Sequence, residues 1–155
     1  MILAVDPGLG GALCLFDKGR VLQIRDMPIY QTGKTNRRTI AVHAVCVLVA
    51  GLALGDPMFV IEDVHGAPGQ SAPAAFTFGL GVGVLLAAAT AEGLRIERVA
   101  PSVWKRALRV PADKRASRAR ATELLPAASE HWPLQKHDGR AEASMLALYA
   151  ERFIK

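Results

Sequence analysis

Two short apolar runs that each end at an acidic residue constrain the fold of this chain most. Residues 2–5 lead directly to Asp6, and residues 58–61 lead directly to Glu62. Short apolar runs bounded by turn residues are typical of buried β-strands. A charged group at the end of such a strand is costly unless it reaches solvent, is paired or binds a metal ion. We therefore predict two buried strands whose ends carry carboxylates available for function.

The remaining pattern predicts one α/β domain over residues 1–155, because a chain of this length can bury a substantial core. The first and fourth predicted strands should lie near the centre of a mixed five-stranded sheet of order βββαβαβα, with one extra helix late in the chain and helices on both faces. That topology brings Asp6 and Glu62 side by side. We predict strands over residues 2–5, 12–16, 21–27, 58–61 and 95–99, an exposed loop over 28–38, and helices over 39–54, 74–92, 101–108, 113–125 and 138–153.

A second acidic pair lies near the C-terminus. Asp138 and Glu142 are four residues apart, so they share one face of the predicted final helix. Like charges at that spacing repel, and a cation between them would account for both. The alternative, that Asp138 is only a helix N-cap, leaves Glu142 unexplained.

Four carboxylates from three separate regions suit hard divalent cations such as Mg²⁺. Such clusters cleave phosphodiesters with two metal ions. The sequence holds no Cys/His metal motif and no Ser/His/Asp triad that would favour another chemistry.

Positive charge is concentrated in one segment. Residues 95–120 carry a net charge of +7, whereas the whole chain carries +5. A local basic block on a mildly acidic scaffold indicates a polyanionic partner, although solvated helix faces would give the same charge. The block predicts phosphate contacts by Lys105, Arg106, Arg109, Lys114, Arg115 and Arg118.

Residues 74–91 form an uncharged stretch long enough to raise the question of a membrane span. We predict instead a buried core helix, with Gly79 and Gly83 allowing close backbone packing, and no membrane association. Phe76, Phe78, Trp104 and Trp132 are also predicted to be buried. Cys14 and Cys46 lie in apolar surroundings and are expected to be reduced core thiols of a cytoplasmic protein.

In several short motifs the chain resembles RuvC-type Holliday junction resolvases of the RNase H-like superfamily, and especially the compact RuvC-like endonucleases of phages and prophages. The resemblance covers nearly the whole chain. The order and spacing of the motifs carry it: Val5-Asp6-Pro7-Gly8 with Gly11-Ala12, Val60-Ile61-Glu62-Asp63-Val64, Pro101-Ser102-Val103-Trp104-Lys105, Asp113-Lys114, and Asp138-Gly139-Arg140-Ala141-Glu142-Ala143.

The resemblance implies a homodimer that binds four-way DNA junctions. It would make paired symmetric nicks with two Mg²⁺ or Mn²⁺ ions per active site, leaving 5′-phosphate and 3′-hydroxyl ends. Asp6, Glu62 and Glu142 match the metal-binding acids of that family. Asp138 matches the fourth, although family members usually space the last two positions by three residues rather than four.

The resemblance also implies residues that contact DNA. Lys105 and Lys114 fall where the family has lysines near the DNA backbone, and we assign both a catalytic role. His65 stands about where bacterial members carry an aromatic residue. Arg140, within the last motif, is a further candidate DNA contact.

Two alternatives remain. One is a fork, flap or RNA–DNA hybrid nuclease on the same fold. The other is a non-catalytic DNA-binding or sugar-kinase-like module, since residues 6–11 could serve nucleotide phosphates as in actin-like ATPases. Those ATPases normally need two such domains. The expected location is the cytoplasm of a bacterium or of a phage-infected host cell.

Overall fold

A computed structural model describes residues 1–33, 37–65 and 69–155. Its strands are β1 (Ile2–Asp6), β2 (Ala12–Asp17), β3 (Arg20–Asp26), β4 (Ile29–Thr32), β5 (Arg37–Ile40), β6 (Met58–Glu62) and β7 (Ile96–Val99). Its α-helices are α1 (Val42–Leu52), α2 (Ala72–Ala91), α3 (Pro101–Ala107), α4 (Lys114–Leu124) and α5 (Asp138–Phe153), with 3₁₀ turns at Pro126–His131 and Gln135–His137.

Five of the strands form one mixed sheet in the order β3-β2-β1-β6-β7. The pairs β1–β2 and β2–β3 are antiparallel, whereas β1–β6 and β6–β7 are parallel. The predicted mixed sheet is therefore confirmed, with β1 at its centre and β6 beside it.

Both faces of this sheet are covered by helices. Alternate residues of β1 point to opposite sides of the sheet, and they pack into two different core clusters. Leu3 and Val5 belong to the core cluster that includes residues of α1 and α2. Ile2 and Ala4 belong to the other cluster, which includes Trp104 and most of the buried face of α5. The sequence prediction of helices on both faces is confirmed.

The loop predicted over residues 28–38 is wrong for most of its described part. β4 and β5 pair there as an antiparallel hairpin, with Ile29 opposite Ile40 and Tyr30 opposite Thr39. β-Branched and aromatic residues favour strands, and this preference outweighs the polar composition that suggested a loop. The helix predicted from residue 39 accordingly begins only at Val42. Residues 34–36, within that predicted loop, lie outside the described part of the chain, as do residues 66–68.

The prediction that α2 is buried is also wrong. This helix is long and apolar enough to cross a membrane, yet only 22% of its most apolar window is buried within the protein. It contacts the core through Gly81, Leu85, Ala88 and Ala89, while Phe76 is 74% exposed. A helix that is apolar on every side has no periodicity from which its buried face can be predicted.

The predictions for the cysteines and the tryptophans have mixed outcomes. Cys14 is buried, as predicted, but Cys46 lies on the exposed side of α1. Trp104 and Trp132 are both buried, as predicted.

Candidate active site

Three acidic side chains converge at one edge of the central sheet. Asp6 ends β1 and Glu62 ends the neighbouring parallel strand β6, where Val5 and Ile61 are paired in register. Glu142 lies in α5, which packs on β1 and β2. Asp6 and Glu62 are thus side by side, as the topology predicted.

Glycines allow α5 to approach this edge. A Cβ atom at position 139 would lie 2.6 Å from the Cα of Gly11, closer than side chains tolerate. A Cβ at position 11 would in turn lie 2.8 Å from the carbonyl oxygen of Gly8. The turn after β1 therefore receives the first turn of α5 backbone against backbone, and this close contact sets the position of Glu142.

Electrostatics at the cluster disfavour three free carboxylates. Burial, followed by the negative charges of Glu62 and Glu142, raises the pKa of Asp6 from 3.8 to about 7. Burial also raises the pKa of Glu62, although the charge of Lys105 and a hydrogen bond from Trp104 oppose the increase. Asp6 and Glu62 are thus costly to ionise, chiefly because they are buried, and the neighbouring carboxylates add to that cost. A bound cation would relieve the repulsion.

Lys105 supplies the compensating charge in this structure. Its ammonium donates to Glu142 Oε2 at 2.9 Å. Burial lowers the pKa of Lys105, but the hydrogen bond from Lys105 to Glu142 and the charges of Glu142, Glu62 and Asp6 outweigh it, so the net pKa is raised. The lysine that the resemblance assigned to the DNA backbone therefore lies among the three acids.

Trp104 contributes a contact that the sequence prediction missed. Its indole N–H donates to Glu62 Oε1 at 2.8 Å. The sequence prediction treated this residue as core, which is correct for its burial but incomplete. Its position directly before Lys105 gave no signal of this contact, because consecutive residues of a helix do not face each other.

Asp138 has different partners from the other acids. It opens α5, and its carboxylate pairs with Arg118 of α4, with Lys114 Nζ at 4.0 Å. The N-cap position belongs to His137, so Asp138 is not the cap. In the present side-chain positions Asp138 ties α4 to α5, and its role as a metal ligand stays a prediction.

Apart from Lys105, the predicted DNA-contacting residues fall into two groups. Arg106, Arg109, Lys114, Arg115 and His65 are exposed. Two others form ion pairs with carboxylates of the same chain: Arg118 with Asp138, and Arg140 with Asp26 at 2.6 Å. Within the described part of the chain, Lys114 is the one member of the first group with an ion pair, its 4.0 Å contact with Asp138.

The donor chemistry of the cluster fits a divalent cation, since carboxylate oxygens are the ligands that Mg²⁺ prefers. Among the described residues, no three Asp, Glu, His or Cys side chains are arranged to hold one ion as they stand. In this structure the ammonium of Lys105 pairs with Glu142 instead. A cation would thus take over the charge compensation that Lys105 now provides.

A groove of about 650 Å³ adjoins the turn after β1. It is lined by Pro7, Leu9 and Arg38 together with Phe78 from the first half of α2. Phe78 is half-buried there, so it is less buried than predicted. Apolar faces beside one arginine are suited to an unpaired base and its phosphate.

Solved structures with this architecture exist. A Thermus thermophilus RuvC in complex with a Holliday junction substrate aligns with a TM-score of 0.68 and 19% identity, over 99% of this chain and 95% of that one. The chain has the fold of RuvC. A second T. thermophilus RuvC structure aligns with a TM-score of 0.64 and 20% identity, over 97% of this chain and 95% of that one. No family model and no curated protein matches the sequence.

Proposed function

We propose that this chain is a metal-dependent, structure-selective endonuclease that resolves four-way DNA junctions by paired symmetric nicks. The observation that carries the proposal is the convergence of Asp6, Glu62 and Glu142 around Lys105 at the sheet edge of a RuvC fold. The T. thermophilus protein with the same fold is described in complex with a Holliday junction substrate.

Asp6, Glu62 and Glu142 would hold divalent cations, Mg²⁺ or Mn²⁺, two per site, with Asp138 as a further candidate ligand. When bound, such ions supply an activated water and stabilise the leaving 3′ oxygen, which yields 5′-phosphate and 3′-hydroxyl ends. The protein's own contribution is to hold the carboxylates on two rigid strands and one helix. Lys105, released from Glu142 by the cations, would offset negative charge on the scissile phosphate.

The basic residues of α3 and α4 would bind the DNA backbone. Arg106, Arg109, Lys114 and Arg115 are exposed, and they lie on, or directly after, the two helices whose Lys105 and Arg118 contact Glu142 and Asp138. Contacts of this kind fix the position of a duplex and carry no sequence information. Lys114 is 73% exposed and near Asp138, which supports it as the second catalytic lysine. The exposed His65, three residues after the end of β6, would also contact DNA. Arg118 and Arg140 would do so only after leaving their carboxylate partners.

A homodimer is the assembly that such a reaction needs, because a four-way junction has two-fold symmetry and two nicks require two sites. The exposed stripe of α2 offers the interface. It contains Phe76, Leu80 and the small residues Gly79, Gly83 and Ala87. A partner copy on this stripe would cover apolar surface that the monomer leaves in water.

A substrate panel tests the proposal. We expect the protein with Mg²⁺ to cut a four-way junction symmetrically, and to cut fork, flap, duplex and RNA–DNA hybrid substrates much more slowly. EDTA should abolish cleavage but leave binding. Asp6→Asn should reduce cleavage by at least 100-fold while junction affinity changes less than threefold.

Other outcomes of the panel would support the alternatives. Preferred cleavage of forks, flaps or hybrids would indicate a different nuclease on the same fold. Tight junction binding without cleavage at any Mg²⁺ or Mn²⁺ concentration would indicate a non-catalytic DNA-binding module. We also propose action in the cytoplasm of a bacterium or phage-infected cell, where the branched DNA is found, and without membrane association.

A further inference from the structure

Trp104 is a core aromatic residue whose indole N–H donates a hydrogen bond to one of the three acids. The side chain is fully buried in the core cluster beneath α5. A buried indole N–H usually finds a hydrogen-bond partner, because leaving it unpaired is costly. Here the partner is Glu62 Oε1 at 2.8 Å, across 42 residues of sequence. The acceptor is itself only 8% exposed.

Trp104 and Lys105 together hold two of the three acids from consecutive positions of α3. The Lys105 ammonium reaches Glu142 and also lies 5.1 Å from the centre of the Trp104 ring. The two contacts differ in kind. Lys105 contributes a charge on a flexible chain, which a cation can replace. Trp104 contributes a neutral donor locked by packing, which remains in place when a cation arrives.

The bond to Trp104 also selects one oxygen of Glu62. With Oε1 accepting from the indole, one of its lone pairs is used, which favours Oε2 as the atom that meets a ligand. Groups that orient metal-binding side chains in this way typically change metal affinity or activity by about 10- to 100-fold when they are removed.

We propose that Trp104 is a positioning residue that orients the Glu62 carboxylate for cation binding. This inference rests on the proposed function, because it assumes that Glu62 is a metal ligand. It predicts a specific loss of cation affinity when the indole N–H is removed but the ring is kept.

The chain contains its own control. Trp132 is also buried, and its indole N–H also donates to a side-chain oxygen, but that oxygen is the neutral hydroxyl of Thr122 at 3.0 Å. Trp104→Phe and Trp132→Phe therefore make the same chemical change at two buried sites. Only the first removes a bond to a proposed metal ligand.

The decisive measurement is Mn²⁺ binding without DNA, followed by the electron paramagnetic resonance signal of free Mn²⁺. We expect Trp104→Phe to weaken Mn²⁺ binding by about 10- to 100-fold and Trp132→Phe by less than twofold. The Mg²⁺ concentration for half-maximal junction cleavage should rise in parallel, and saturating Mg²⁺ should restore most of the rate.

Fluorescence of the same two variants gives a second readout, because each variant keeps one of the two tryptophans of the chain. In Trp132→Phe the remaining indole is Trp104, so its emission should change saturably as Mg²⁺ is added, and Glu62→Gln should remove that change. In Trp104→Phe the remaining Trp132 should not respond.

The outcomes separate this inference from the proposed function. If the parent protein binds no Mn²⁺, the proposed metal site is wrong. If the parent binds Mn²⁺ but Trp104→Phe binds it equally well, the function stands and the positioning role is overturned. Equal weakening by both substitutions would also overturn it, because general loosening of the core would then explain the effect.

Discussion

At the scale of single residues, the two acids of α5 show how little spacing says about partners. Asp138 and Glu142 lie one turn apart, and a shared cation was the simplest prediction. In the structure Glu142 pairs with Lys105 and Asp138 pairs with Arg118. The first pair joins the cluster of acids, whereas the second links α4 to α5.

The Asp138–Arg118 pair should therefore contribute to stability, because both side chains are mostly buried. We expect Asp138→Asn to lower the free energy of unfolding by about 2 kcal/mol, as is typical for hydrogen bonds to charged groups. Urea denaturation would measure this loss. Glu123→Gln, which removes an exposed partner of Arg120, is the control and should cost less than about 1 kcal/mol. Equal stability of the parent and Asp138→Asn would show that the Asp138–Arg118 ion pair does not stabilise the fold.

Asp6 should make the metal-free protein less stable as the pH rises. Its pKa is about 7 in the folded state and 3.8 ordinarily, so the folded state holds the proton more tightly. That stabilisation is complete below about pH 4 and is lost as the pH rises through about 7. In EDTA, the melting temperature of Asp6→Asn minus that of the parent should therefore increase as the pH is raised from 4 to 7.

This increase should level off above about pH 8, because Asp6 is then ionised in both states. Asp26→Asn is the control, because a hydrogen bond from Arg140 lowers the pKa of Asp26. That variant should show no such increase over the same range. A difference between Asp6→Asn and parent that does not vary with pH would mean that Asp6 has an ordinary pKa.

At the scale of secondary-structure elements, the approach of α5 to the turn after β1 controls the site. Gly139 has no space for a Cβ atom, since Gly10 and Gly11 backbone atoms already occupy it. Backbone cannot move aside as a flexible side chain can. Glu142 therefore lies beside Asp6 and Glu62 only if no side chain separates α5 from the turn after β1 at Gly139.

Gly139→Ala should shift the start of α5 and cost about 1–3 kcal/mol of unfolding free energy, as overpacking does. Junction cleavage should fall more than tenfold, because Glu142 moves with the helix. Gly51→Ala in α1 is the control, since nothing lies within 4 Å of a Cβ there. It should be neutral or stabilising by up to about 1 kcal/mol. Normal cleavage by Gly139→Ala would show that the contact is adjustable.

The basic helices α3 and α4 should determine how junction binding depends on salt. Arg106 and Arg115 are exposed and outside the acid cluster, so their removal should leave the site intact. Each lost phosphate contact should flatten the slope of log K against log salt by about 0.9. The double variant Arg106→Ala/Arg115→Ala should thus lose about 1.8, in fluorescence anisotropy titrations at several salt concentrations. Arg20→Ala, an exposed position in β3, should leave the slope unchanged.

At the scale of the whole molecule, the exposed stripe of α2 is the feature that a monomer does not explain. We expect the protein to sediment at twice its 16.5 kDa mass at micromolar concentration. Leu80→Glu should give a monomer, because it would bury a charge in the interface. Leu22→Glu, at another exposed leucine, in β3, should remain dimeric. A monomeric parent, with or without junction DNA, would contradict the proposed dimer. Flotation of the protein with phospholipid vesicles would indicate that the exposed stripe of α2 binds a membrane instead.

The sequence by itself determined the sheet, its helical layers and the adjacency of Asp6 and Glu62. Short apolar runs encode burial locally, and few topologies fit their order. The structure alone decided which side of α2 is exposed, that β4 and β5 pair, and which groups Glu62, Asp138 and Glu142 bind. Those contacts join residues 20 to 42 positions apart. They depend on how α3, α4 and α5 are rotated against the sheet, and no local pattern specifies that rotation.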